Sequence, residues 1–161
     1  MHTEAFEFVA VNATTDRVSV IEIGSRDVNG TARVLFSHAT WLGLDLHEGP
    51  AVDVVCNAAE YVTDDRYDIT ICLEVLEHSE HWPELVRRLH DWLKPGGRTI
   101  ITCAGVGREP HSAIDGQAVR EGEYYGNIDT TSLQQAMEQA GFVDVKTEQR
   151  GPDTYATGSK E

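Results

Sequence analysis

Val18-Ser19-Val20-Ile21-Glu22-Ile23-Gly24-Ser25-Arg26-Asp27-Val28-Asn29-Gly30 is the stretch on which the fold turns. Its first six residues form a short run rich in Val and Ile that stops at Gly24, as a strand of a parallel sheet covered on both faces requires. A glycine-containing loop follows, and Asn29 is placed to cap a short helix over residues 29–36. Strand, glycine loop and helix in that order open a βα unit whose ligand lies beyond the carboxyl end of the strand.

Working outward, the same alternation continues. Residues 41–46 form a second apolar run, the turn Glu48-Gly49-Pro50 leads to a third over 52–56, and 67–73 form a fourth. Trp82-Pro83 opens a helix, with Pro83 suited to the first helical position and Leu85, Val86, Leu89, Trp92 and Leu93 at helical spacing. Trp82 and Trp92 read as helix packing. Lys94-Pro95-Gly96-Gly97 stops this helix, and a fifth strand over 98–103 follows. The stretch 104–128 has neither period and is too long for a plain connector, which marks a functional loop or lid. Asp129-Thr130-Thr131 caps a helix carrying Leu133, Ala136, Met137 and Ala140, and Gly141 ends it. A sixth strand over 142–148 turns through Arg150-Gly151-Pro152-Asp153 into a last strand over 154–157. That connection is too short for a crossover, so the last strand runs antiparallel. The pattern predicts one α/β domain over residues 1–161, doubly wound and mostly parallel, with an antiparallel C-terminal hairpin and a short N-terminal extension over 1–17.

Composition narrows the function classes. The chain has 161 residues, 40% apolar and 25% charged, with 13 Lys plus Arg against 27 Asp plus Glu and a net charge of −14. Such a body repels phosphate backbones and anionic lipid, so general nucleic-acid binding and membrane association are not expected. No segment has the apolar length of a bilayer span, and a cytoplasmic location is the expectation. Cys56, Cys72 and Cys103 each end an apolar run and form no C-x-x-C pair, which points to reduced thiols packed in strands. His38, His47, His81 and His90 read as surface residues.

A carboxylate at the end of the second strand, roughly 20 residues beyond the glycine loop, can accept both hydroxyls of a ribose. Asp45 stands there, and a charged group at a strand end with no such task would be costly. The choice among nucleosides turns on pyrophosphate. A dinucleotide site needs G-x-G-x-x-G, and the second and third glycine positions hold Arg26 and Asn29, which disfavours a nicotinamide or flavin cofactor.

At this point the sequence resembles the class I S-adenosylmethionine-dependent methyltransferases from about Val18 onward. EIGSRDVNG (Glu22 to Gly30) is similar to the family's first motif, and GLDL carries the ribose acid Asp45. CNAAEYV (Cys56 to Val62) lies where the family contacts adenine. RYDITICLEVLEH (Arg66 to His78) and LKPGGRTIIT (Leu93 to Thr102) match the segments of its fourth and fifth strands. The resemblance implies a Rossmann-like seven-stranded sheet with the last strand inserted antiparallel. It implies S-adenosylmethionine as cofactor, with Glu22, Gly24 and Ser25 at the methionine end, Asp45 on the ribose and Leu46 beside the adenine. Asn57 and Ala58 would meet the adenine edge, and the Leu73 backbone the ligand's ammonium. The chain departs from the family where Arg26 replaces a more usual glycine and Asn57 a more usual Asp.

Methyl transfer from a sulfonium is an in-line displacement for which holding donor and acceptor close supplies most of the acceleration. A hydroxyl or thiol acceptor also needs a base, and His78, His111 and Glu77 are the candidates in the expected mouth, with His78 and His111 preferred. Glu74, Glu77, His78 and His111 together could hold a divalent metal, as in some RNA-end and quinone O-methyltransferases that they resemble. The same E-V-L-E-H string also occurs in metal-free members, and the metal-free reading is preferred. Tyr124-Tyr125 reads equally well as an acceptor platform or as loop packing. No Asp-Pro-Pro-Tyr type of motif follows the fourth strand, which argues against amino-directed chemistry on DNA. The expected acceptor is a small molecule, a peptide or a carrier-bound intermediate, methylated at oxygen or nitrogen. Either the loop 104–128 is the whole lid or a partner closes the site. The competing reading is a non-catalytic module that keeps the fold and binds the nucleoside or a partner.

Overall fold

The computed structural model describes residues 3–161; the first two residues of the expected N-terminal extension lie outside the described residues. Seven strands form one sheet: β1 (Ser19–Ile23), β2 (Thr40–Asp45), β3 (Val54–Val55), β4 (Tyr67–Leu73), β5 (Leu93–Ala104), β6 (Val143–Arg150) and β7 (Asp153–Ser159). Their order is β3-β2-β1-β4-β5-β7-β6. Contacts from β3 through β5 are parallel, and β7 runs antiparallel between β5 and β6. The α/β, mostly parallel sheet with an inserted antiparallel last strand is therefore as the sequence predicts. Chain order reverses at β1, whose neighbours are β2 on one side and β4 on the other, and such a switch point opens a crevice at the carboxyl ends.

Alternation along each strand divides the core in two. Ile21, Ile23, Cys72, Ile101 and Cys103 face one layer, where α2 (Trp82–Asp91) contributes Leu85, Val86 and Leu89 and α3 (Thr130–Ala140) contributes Leu133 and Met137. Val20, Ile69, Ile71, Ile100 and Tyr155 face the other. That second layer is covered by α1 (Thr3–Val11), whose Ala5, Phe8 and Val9 recur at helical spacing and are buried. The N-terminal segment is thus a packed helix rather than a bare extension. Its periodicity spans a single stripe of three residues in nine, too short a pattern to stand out in the sequence.

Other boundaries moved for local reasons. The expected helix over 29–36 is a 3₁₀ turn, Ala32–Leu35, capped by the Thr31 hydroxyl, which accepts from the Arg33 N–H. Asp27 Oδ1 accepts the Gly30 N–H at 2.7 Å, which holds the loop ahead of that turn. β3 is only two residues long because the Asp53 carboxylate takes the Gly43 N–H at 2.7 Å in place of a strand carbonyl. β5 begins early, at Leu93: a register shift between Tyr67 and Ile69 lets Lys94 to Gly97 bulge out, and Gly96 and Gly97 bond to Lys160. The Asp129 cap on α3 and the left-handed Gly141 after it match expectation. His90, expected at the surface, is half-buried edge-on to Phe142 at 5.0 Å, because Gly141 has no side chain to hold the ring away.

Candidate active site

A cavity of about 1000 Å³ opens at the carboxyl ends of β1, β2 and β4. Glu22, Gly24, Ser25, Asp45, Leu46, Asn57, Ala58 and Leu73 all line it, as do His78 and His111. These ten residues picked out from the sequence meet in this one space, whereas Glu77, the third candidate base, is not in its wall.

Gly24 adopts φ +76°, and a Cβ there would overlap Val75 Cγ2. The volume left by its missing side chain is taken by Val75, so the glycine serves to dock the segment after β4 against the β1 loop. Its N–H and that of Ser25 both donate to the Leu44 carbonyl, at 2.8 and 3.1 Å. Ser25 Oγ is buried and has no hydrogen-bond partner, which leaves it available to a ligand. Opposite Glu22 in the parallel register is Gly43, where a Cβ would run into Ser25 Oγ and the Ala51 carbonyl.

Glu22 is 4% exposed and accepts one hydrogen bond, from the Trp41 indole N–H at 3.1 Å. Burial pushes its carboxyl up to about 7, against the opposing pull of the Trp41 bond and the Arg33 guanidinium. Trp41 is held in turn by Arg33 over its ring at 5.5 Å and by Phe36 edge-on at 5.4 Å. Sequence reasoning missed Trp41. Its signal was the two-residue offset from Gly43, which places its side chain on the same face of β2 as the position paired with Glu22.

Asp45 is oriented by two backbone donors, the Arg26 N–H at 3.1 Å to Oδ2 and the His47 N–H at 2.9 Å to Oδ1. Each oxygen keeps a second lone pair, which a ribose hydroxyl can use. Leu46 is 65% exposed at the lip. Asn57 forms an Asx turn, its Oδ1 accepting the Ala59 N–H at 3.1 Å and its Nδ2 donating to Glu60 at 3.2 Å, so its side chain is already engaged beside the buried Ala58.

At the other end, Glu74 to His78 leave β4 through a left-handed Glu74 (φ 57°) and a 3₁₀ turn, Leu76–His78. Glu74 Oε1 accepts the Thr102 hydroxyl at 2.6 Å. Glu77 is fully buried, both its oxygens lack hydrogen-bond partners, and burial with the nearby Glu74 charge drives its carboxyl well up. His78, His111 and Tyr125 pack their rings edge to face at 5.0 to 5.5 Å. Burial, reinforced by His111, lowers His78 to about 4, so it is neutral at pH 7 with Nδ1 buried and unpartnered. His111 Nδ1 lies 3.1 Å from the Glu109 carbonyl, which can only accept, so in the neutral ring Nε2 is the basic nitrogen. Of the two tyrosines, Tyr125 joins this cluster and Tyr124 is exposed.

Glu77, His78 and His111 each place one ligand atom within 4.8 Å of the others, a set that could hold a divalent cation. Glu74 is not part of that group. No helix among the described residues is long and apolar enough to cross a membrane.

One cavity thus carries a strand-end carboxylate at one end and two imidazoles at the other, and the comparisons with known proteins give the class. The model of a family described as a methyltransferase domain matches residues 3–147. The biotin biosynthesis bifunctional protein BioHC of Cellvibrio japonicus is 30% identical over 143 residues, which cover 81% of this chain and 28% of that protein. Phosphoethanolamine N-methyltransferase 3 of Arabidopsis thaliana is 32% identical over 98 residues, 59% of this chain and 19% of that one. Among solved structures, 1,6-didemethyltoxoflavin-N1-methyltransferase of Burkholderia thailandensis, with bound S-adenosylhomocysteine, is 18% identical at a TM-score of 0.72, covering 98% of this chain and 76% of that one. Phosphoethanolamine N-methyltransferase 2 of Haemonchus contortus, in complex with S-adenosyl-L-methionine, shares the fold at a TM-score of 0.73 and 16% identity, covering 98% and 52%. The chain spans 28% and 19% of the lengths of the two curated relatives. It belongs to the class I S-adenosylmethionine-dependent methyltransferase family.

Proposed function

We propose that this chain transfers a methyl group from S-adenosylmethionine to an oxygen or nitrogen of a small acceptor that is neutral or basic. The carrying observation is the single cavity that joins Asp45 and Glu22 to His78 and His111. When bound, the cofactor supplies an electrophilic methyl on a cationic sulfur. Asp45 would hold its ribose, with Leu46, Asn57 and Ala58 around the adenine. Glu22, Ser25 and the Leu73 backbone would receive the methionine end, where an ionised Glu22 complements positive charge.

At the acceptor end, a neutral imidazole can take the proton that the acceptor oxygen or nitrogen loses as its bond to carbon forms. His78, which burial keeps neutral, and His111 through its Nε2 are the candidates. The wall chemistry argues for the charge of the acceptor. Glu22, Asp45, Glu74, Glu80, Glu109 and Asp115 line the cavity, against Arg26 and Arg108. Both guanidiniums are engaged, Arg26 with the Ile114 carbonyl and Arg108 with Asp153. Six acids against two guanidiniums disfavour a phosphate monoester in this wall, although two relatives carry phosphoethanolamine in their names.

Calorimetry with S-adenosylmethionine tests the donor. We expect binding by the wild type and a loss of at least about tenfold in Asp45→Ala, the equivalent of about 1.4 kcal/mol; retained tight binding would overturn the site. Methyl release against pooled hydroxyl and amine acceptors should fall about a hundredfold in His78→Ala with cofactor affinity unchanged. Turnover that survives a chelator supports the metal-free reading, and its loss would assign a cation to Glu77, His78 and His111.

A further inference from the structure

Arg26 stands where the glycine loop of such a site would ordinarily stay bare, and it bonds in two directions. Its backbone N–H donates to Asp45 Oδ2 at 3.1 Å. Its guanidinium Nη2 reaches across the mouth and donates to the Ile114 carbonyl at 3.2 Å, 88 residues further along the chain. The stem between these two bonds is supported: a Cβ on Gly49 would lie 2.8 Å from Arg26 Cγ and 3.0 Å from Cδ, so the side chain crosses directly over that bare backbone.

The segment that Arg26 reaches behaves as one piece. The buried Ser112 hydroxyl donates to Glu123 Oε1 at 2.8 Å and accepts the Ile114 N–H at 3.1 Å. Ser112 also exchanges backbone bonds with Gly116 and Gln117, Arg120 pairs with Asp115, and the Arg120 N–H donates to Glu123. A left-handed glycine, Gly107, precedes this knot, and Gly116 and Gly122 turn within it. Cross-links inside the segment make it one connected body, and the Arg26 bond to Ile114 ties it to the β1 loop.

We propose that Arg26 is a positioning residue that latches the 112–123 segment over the nucleoside end of the cavity, coupling lid position to the orientation of Asp45. One connected body is held shut by a side chain whose own peptide group orients the ribose carboxylate. Cofactor exchange then requires the Arg26 to Ile114 bond to break, and the lid closes on the side of the donor, leaving the His78 end for the acceptor. The coupling to cofactor release rests on the proposed function, whereas the latch itself exists in the ligand-free chain.

The test therefore begins without ligand. Trypsin cuts after Arg120 inside the segment and after the exposed Arg66 just before β4 outside it, so the ratio of the two rates isolates the lid from global unfolding. In Arg26→Ala we expect the Arg120 to Arg66 ratio to rise about fivefold, from the loss of one charge-assisted hydrogen bond, with Arg26→Lys intermediate. Release of S-adenosylhomocysteine in stopped flow should accelerate by a similar factor. A ratio within about twofold of wild type overturns the latch, and so does an equal rise at both sites, which would mean general loosening. If wild type binds no S-adenosylhomocysteine the functional reading falls, while the cleavage ratio still decides the latch.

Discussion

Glu22 shows how one side chain sets stability against function. Its carboxyl, raised to about 7 by burial, stays protonated in the folded state through the window from about 4.5 to 7 in which an unfolded glutamate ionises. The folded chain then binds the extra proton, so stability falls as pH rises through that window and levels off above it. Glu22→Gln should remove its share of the fall, the buried Glu77 acting in the same direction, and chemical denaturation at pH 8 should find it more stable than wild type by roughly 3 kcal/mol at most. The same variant should bind S-adenosylmethionine more weakly, since it cannot answer the ligand's positive charge. A variant equally destabilised by high pH would show that another group carries the dependence. Asp45 was legible in the sequence because its strand-end position and distance from the glycine loop are fixed by a βα unit. The Trp41 donor was not, because its offset from Gly43 points to Glu22 only once the register between β1 and β2 is known.

Elements show the same division. The Tyr67–Leu73 strand and the α3 cap could be read to the residue, since each carries its own boundary chemistry. The 29–36 helix could not, because Thr31 rather than Asn29 caps a turn that begins at Ala32. Gly24 illustrates the intermediate case: the sequence points to a necessary glycine, but the reason is the approach of Val75 from the segment after β4. Gly24→Ala should cost about 3 kcal/mol in urea unfolding, combining a left-handed backbone with overpacking. Val75→Ala in the same chain should recover only the packing part, leaving a penalty of about 1 to 2 kcal/mol from the backbone. Strict additivity of the two substitutions would mean that the residues do not meet.

For the whole molecule, the decisive arrangement is two unequal layers on one sheet. α2 and α3 cover one face, while α1 with the 3₁₀ turn Ala32–Leu35 covers the other. Phe8 sits edge-on to Tyr155 at 5.0 Å and beneath the Arg150 guanidinium at 5.3 Å, so α1 is bound to the C-terminal strands. Phe8→Ala should therefore destabilise the entire domain by about 3 kcal/mol in a single cooperative transition. Separate melting of α1 with the rest of the sheet unaffected would show that it is an appendage. The sequence disclosed the doubly wound order because alternating apolar runs and amphipathic helices leave few right-handed solutions. It disclosed less about which face each helix covers, since that follows from packing distant segments together.

β7 lies between β5 and β6 although it is made after both. During synthesis on the ribosome, β1 to β5 can assemble the crevice as they emerge, but β6 has no neighbour in the sheet until residues 153–159 appear. At roughly 5–20 residues per second, the edge of β5 waits roughly 2–11 s, and the whole of β6 only about a second. A pause placed between Arg150 and Ser159 would prolong exactly that open edge, making codon speed in this short interval a determinant of how much nascent chain reaches the native sheet.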